Sequence, residues 1–214
     1  MTRAILALAL LAAAAPMQRQ PPTSAPQPAP SAQPPGGRGP STSSGRAGGR
    51  GGVQVMTLTS SAFTDGGSIP AKYTQAGGEI SPSLAWSGAP DGTASFVLIV
   101  HDPDAAIGNG TDDILQWLVW NIPASARGLP ERIPHGPDLR DGAHQISATG
   151  PFYRGPGAPA GGPAHHYTFE LFALDTAIDV PAVGQSPAQT RAAVVAAMAG
   201  HVRGKGVLVG FFKR

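Results

Sequence analysis

The sequence predicts a mainly β protein: an all-β sandwich with irregular connections and one helix near the C-terminus. Three observations carry that prediction. Two continuous apolar runs of strand length, "SFVLIVHD" (95–102) and "LQWLVWNIP" (115–123), read as strands covered on both faces. Clusters of proline and glycine, not helical patterns, separate the strand-like segments from one another. One stretch, "SPAQTRAAVVAAMAGHV" from residue 186, carries helix signals from start to stop.

In chain order, residues 1–15, "MTRAILALALLAAAA", hold one arginine and then an unbroken small-apolar run. That is the pattern of a secretory signal peptide, and the run is short for a bilayer span, so no transmembrane segment is expected after processing. Residues 16–52 contain no aromatic and no acidic residue and are dominated by Pro, Gly, Ser, Ala and Gln. Such a chain buries too little apolar surface to offset its ordering entropy and reads as a disordered spacer. Residues 53–214 then form the folded domain, about 160 residues, enough to bury on the order of two-thirds of its chain surface.

Charge and cysteine usage narrow the function. Residues 1–52 carry five arginines and no acid, whereas the remainder carries ten basic against thirteen acidic residues. The basic balance of the whole chain, +2, therefore belongs to the spacer, and the domain itself is mildly acidic. A nucleic-acid partner would need basic residues clustered on the domain, so none is expected. The chain has no cysteine, which leaves no residue for a lipoprotein anchor, a disulfide framework or a zinc–thiolate site. An exported domain of this kind is stable through its core alone.

Within the domain, "VQVMTLTS" (53–60) alternates as one strand, and "SLAWSG" (83–88) is a short strand closed by glycine. The two apolar strands follow, the second stopped by Pro123. "HHYTFELFALD" (165–175) and "GVLVGFFKR" (206–214) complete the set. In the helix, Ser186 serves as N-cap, Pro187 is the first helical residue and Gln189 completes a capping box. Val194, Val195 and Met198 supply its apolar stripe, and Gly200 or Gly204 ends it. It is expected to pack against the sheet edge near the last strand.

Candidate site residues gather at strand ends. Asp102 closes an apolar strand, and Pro103 stops its pairing, so Asp102 belongs at a sheet rim with His101 facing the other way. The oxygen-rich stretch 108–113 lacks the loop spacing of an EF-hand and reads as a surface turn. Residues 150–167 form a long Gly/Pro loop whose backbone N–H groups and Tyr153 can face an anion. The two histidines that follow cannot both look into one pocket, because strand side chains alternate. His165 shares its face with Tyr167, Phe169 and Leu171, the more apolar set, and is the better candidate for a buried site.

"HDPDA", "QWLVWNIP", "YRGPGAP" and "HHYTFELFALD", in this order, resemble the phosphatidylethanolamine-binding protein family, in its bacterial, Raf-kinase-inhibitor-like branch. The domain opening, "SSAFTDGGSIPAKYTQAGGEISPSLAWSGAP", and its ending, "AMAGHVRGKGVLVGFFKR", carry the same resemblance, which covers 56–214 and none of the tail. It implies two antiparallel sheets with peripheral helices and a small anion pocket at one end. Carried over residue by residue, the pocket falls on Asp102, Gln116, His165 and Tyr167, with Tyr153, Gly155, Pro156 and Pro159 in the loop. Tyr167 and Trp117 are expected to supply an apolar wall.

Three departures stand out. Gln116 occupies the position of a family histidine, Ala106 replaces a proline, and His166 replaces an arginine. Glutamine donates a hydrogen bond but carries no charge, so anion binding is expected to be weaker and to follow the titration of His165. The expected function is recognition of a small anionic or zwitterionic phosphorylated ligand, without a cofactor. Inhibition of a partner protein, a kinase or protease, through surface loops is the alternative. A metal-dependent hydrolase built on Asp102, His165 and His101 is a third reading. Strand alternation scatters that set, and the chain holds no G-x-S-x-G nucleophile elbow.

Overall fold

The computed structural model describes residues 52–106 and 110–214. The expected signal peptide and spacer lie outside the described residues, apart from Gly52. Among the described residues, ten strands and one α-helix follow in the order β1 (Gln54–Val55), β2 (Thr57–Thr59), β3 (Gly67–Ser68), β4 (Leu84–Ser87), β5 (Ser95–Asp102), β6 (Ile114–Pro123), β7 (Gly128–Leu129), β8 (His144–Ile146), β9 (His165–Leu174), α1 (Pro187–Met198) and β10 (Val202–Phe212), with short 3-10 turns at Ala71–Tyr73 and Arg140–Gly142. The larger sheet has the order β1-β10-β9-β5-β6-β8, with β3 also on β10; the smaller is β2-β4-β7. All pairings are antiparallel except those of β1 and β3, which join β10 in parallel.

The apolar run of β5 places it in the middle of the larger sheet, between β6 and β9. Both faces of β5 are buried, as a continuous hydrophobic run requires. One face meets the smaller sheet in a core that includes Leu58, Trp86, Phe96, Leu98, Phe169 and Leu208. The other meets α1 and the segment before it through Val97, Ile99, Leu118, Trp120, Ile178 and Val194.

The helix forms as its caps dictate. Ser186 accepts from the Gln189 N–H at 3.3 Å, and Gln189 Oε1 accepts from the Ser186 N–H at 3.0 Å. Gly200, at φ 82°, lies just beyond its end. Ser186→Ala removes the cap and is expected to cost about 1 kcal/mol, read as a small fall in melting temperature.

Four expectations are corrected. The segment 53–60 is two strands, because the Met56 N–H turns to the Lys205 carbonyl at 2.8 Å and sends β1 and β2 into different sheets. Val195 faces solvent, 49% exposed, while Thr190 joins Val194 and Met198 on the buried side. The helix covers the face of β5 and β6 rather than the edge at β10. Finally, β10 begins at Val202, earlier than the sequence suggested. Its glycines let the sheets close: a Cβ on Gly210 would sit 2.5 Å from Ile69 Cγ1.

Candidate functional site

The site is assembled where β5 ends and β9 begins. Pro103 stops the β5 ladder, so the Asp102 side chain turns in at the rim, 4% exposed. Antiparallel pairing of β5 with β9 brings His165 beside it, with Nδ1 at 2.9 Å from Asp102 Oδ2 and 3.1 Å from Oδ1. The Asp104 N–H also donates to Asp102 Oδ1, at 3.1 Å. Two places further along β9, and therefore on the same face, the Tyr167 hydroxyl accepts from the Gly157 N–H at 3.1 Å. Burial, and then the Asp102 charge, hold the Tyr167 phenol well above its ordinary value, so it stays protonated.

The loop 150–164 is clamped rather than loose. The Arg154 N–H donates to the Gln116 carbonyl at 2.9 Å, and the Gln75 N–H donates to the Pro156 carbonyl at 2.9 Å. Gln75 Nε2 donates to the Gly155 carbonyl at 2.8 Å, and the Gly155 N–H reaches Glu79 Oε1 at 3.4 Å. Gly155 runs so close to residues 73–74 that a Cβ would lie 2.6 Å from the Tyr73 carbonyl oxygen. The loop N–H groups at 154, 155 and 157 thus already have protein acceptors, where the sequence suggested they face an anion.

The nine expected residues therefore divide. Asp102, His165 and Tyr167 converge on one another. Tyr153, Gly155 and Pro156 are buried in the wall behind them, with the Tyr153 hydroxyl donating to the Tyr73 carbonyl at 3.0 Å. Gln116 is also buried, and the carbonyls of Arg154 and Gly155 around its side-chain amide assign the nitrogen to their side, where it donates to them at 3.0 and 3.2 Å once the amide is turned accordingly. Its donor is thus occupied by the loop. Trp117 lies in the sandwich core, its Nε1 donating to Gln145 Oε1 at 2.8 Å and its ring edge-on to Tyr153. Pro159 is exposed.

His166 points to the opposite face, as alternation requires. Its backbone N–H and Nδ1 lie 2.6 and 2.7 Å from Asp104 Oδ2, and its ring packs on Phe211. Burial works to raise the Asp104 carboxyl, but these His166 contacts hold it below the usual range. Asp102, Asp104 and His165 each offer a ligand atom, all within 4.8 Å, a set that could hold a divalent cation. The third metal candidate, His101, faces away from them toward Asp113 and Glu170. A cavity of about 340 Å³, lined by Ser68, Ile69, Ala164, Phe211, Phe212 and Lys213, shares chain neighbours with the site without being lined by Asp102, His165 or Tyr167. Phe212 is the β10 partner of His165.

Sequence reasoning missed Asp104, Gln75 and Glu79. Asp104 was signalled by its place two residues after Asp102 in "HDPDA". Gln75 and Glu79 lie some eighty residues before the loop they clamp, and no local pattern announces them.

The family described as phosphatidylethanolamine-binding protein matches over residues 59–213. A UPF0098 protein of Methanothermobacter thermautotrophicus is 40% identical over 161 residues, 74% of this chain and 99% of its own. A Mycobacterium tuberculosis protein described as lipoprotein LppC is 34% identical, over 75% of this chain and 74% of its own. Among solved structures, Escherichia coli YbcL, described as a member of the mammalian PEBP family, superposes with TM-score 0.64 at 26% identity. The likeness spans 74% of this chain and 98% of YbcL.

Proposed function

The chain belongs to the phosphatidylethanolamine-binding protein family, and from that premise we propose an exported receptor for a small phosphoryl or carboxylate anion, centred on His165. One observation carries this reading. Asp102 engages His165 Nδ1, while Nε2 has no hydrogen-bond partner among the described residues and the side chain is 13% exposed. The Asp102 carboxylate favours the tautomer with a proton on Nδ1. Neutral His165 then presents only a lone pair at Nε2, which repels an anion's oxygen. Protonated, it donates from both nitrogens, one to Asp102 and one to the ligand. Binding therefore draws on a donor at Nε2, the one ring nitrogen that Asp102 leaves available.

The surroundings support a weak, selective site. Gln116, its amide nitrogen engaged by the loop, adds neither charge nor donor for a ligand. The Asp102 charge disfavours a bare anion, and an ammonium group on the ligand, as in phosphoethanolamine, offsets that repulsion. Export is supported by the N-terminal pattern and by the name of the mycobacterial relative.

Dimethyl phosphate, which carries a constant single charge across the neutral range, tests this reading. Calorimetric titration at pH 6 is expected to show binding that His165→Asn weakens about tenfold or more. Full affinity in His165→Asn, or no binding at millimolar ligand, would sink this reading. Absence of binding would redirect the search to a protein partner.

A further inference from the structure

We propose that a cleft at the other end of β6 is a second binding site, for an amphipathic anion with an apolar body and a carboxylate or phosphate head. The cleft measures about 630 Å³, within the range of small-molecule sites. Ile122 lines it, six residues along β6 from Gln116 and so about 20 Å from the Asp102–His165 pair's end of the strand. The two sites are separate.

Its floor is apolar and rigid. Ile122 and Leu129 belong to the core between the sheets, and Ile133 and Leu139 pack against that core while staying partly exposed. Three prolines, at 123, 130 and 134, complete the lining and fix its backbone. An apolar chain or ring laid there continues the hydrophobic core outward.

Its rim is charged, with Arg132, Arg140 and Asp141 contributing. Neither guanidinium makes an ion pair or side-chain hydrogen bond among the described residues. The acid next to Arg132, Glu131, is taken by Lys72 at 2.7 Å and the Tyr73 hydroxyl at 2.8 Å. Asp141 offsets one of the two cations, so the rim keeps a net charge of +1, suited to a single anionic head. Guanidinium groups bind carboxylate and phosphate through paired donors.

The backbone of the rim is also fixed. Arg132 adopts a left-handed conformation, φ 64°, uncommon for a long side chain, whereas Asp141, φ 66°, is of a type that tolerates it. At Arg132 the conformation is held by buried Ser81. The Ser81 carbonyl accepts the Arg132 N–H at 3.0 Å, and its hydroxyl oxygen accepts the Ile133 N–H at 2.8 Å. Strain held in place by surrounding structure is a mark of functional positions.

Displacement of 1-anilinonaphthalene-8-sulfonate from the full chain tests the proposal, with decanoate, decyl phosphate, decanol and decyltrimethylammonium as competitors. Either anion should compete at least tenfold better than the cation, and the stronger of the two identifies the head. Arg132→Asn with Arg140→Ala should weaken both anions about tenfold or more and leave decanol unchanged; asparagine tolerates the left-handed backbone. Ala126→Phe fills the cleft and should remove displacement altogether. His165→Asn should change nothing, which separates this site from the one at β5 and β9. Failure of both anions to compete, wild-type affinity in the arginine double variant, or retained binding in Ala126→Phe would each overturn the proposal.

Discussion

His165→Ala and His165→Asn are each expected to lower the affinity for dimethyl phosphate at pH 6 by about 10–100-fold, the loss of one charge-assisted hydrogen bond. The pair of variants separates chemistry from folding. Alanine leaves the Asp102 carboxylate, 4% exposed, without its imidazole partner. Asparagine still offers Asp102 a donor but has neither a group at the Nε2 position nor a positive charge for the ligand. Equal losses in both, with melting temperature preserved in the asparagine variant, assign the effect to the imidazolium. His166→Ala should stay within about twofold, because its backbone N–H still holds Asp104 and its ring faces away. An effect of His166 comparable to that of His165 would place the binding surface on the outer face of β9.

The second large effect is on stability, through a ladder of alternating charge on the α1 side of the large sheet. Arg191 of α1 pairs with Asp113 through both guanidinium nitrogens. Asp113 Oδ2 in turn lies 2.5 Å from His101 Nδ1. His101 Nε2 faces Glu170 at 3.5 Å as an ion pair without hydrogen-bond geometry, and Lys205 closes the run at 2.5 Å from Glu170. His101 and then Lys205 hold the Glu170 carboxyl down at about 2, against the opposing effect of burial. Glu170, and then Asp113, raise His101 above its ordinary value, again against burial.

The two shifts act in opposite pH directions. Glu170 is depressed, so its contribution is present above about pH 4.5 and is lost as pH falls toward 2, worth up to about 3 kcal/mol. His101 is raised, so its contribution is complete below its unfolded value near 6.5 and fades as pH rises through the higher folded value. Urea unfolding across pH 2–9 should therefore show a plateau between about 4.5 and 6.5 with a fall on each side. Glu170→Gln should shrink the acid limb and His101→Gln the alkaline one. Limbs unchanged from wild type in these variants would show that the ladder contributes nothing to folding.

Most of the fold was legible because its signals are local. The run 95–102 matches β5 residue for residue, and the Ser186–Gln189 capping box starts α1 where its chemistry requires. What escaped was set by distant partners. Met56 looks like the middle of one alternating strand, and only its hydrogen bond to Lys205, some 150 residues later, divides it. Val194 and Val195 are equally apolar, and which faces inward depends on where the helix lies over β5 and β6. Strands β3 and β7, two residues each, are defined only by what they pair with. The candidate site behaved alike: alternation separated His165 from His166, whereas the engagement of Gln116 by the loop carbonyls depends on a backbone path that prolines and glycines make unreadable.

The position of β5 also governs how the chain reaches this structure. Its β6 edge closes through a short connection, but its β9 edge waits until residue 165 has been made or delivered, more than sixty residues further on. In that interval "FVLIV" is a bare apolar edge without charge or proline, the composition of an aggregation-prone segment. Long-range pairing of this type is slow, typically milliseconds to seconds. Refolding yield should therefore fall with protein concentration, and a chain truncated before β9 should aggregate rather than remain a soluble half-sheet. Reaching the native sheet depends on keeping this one strand from finding another copy of itself first.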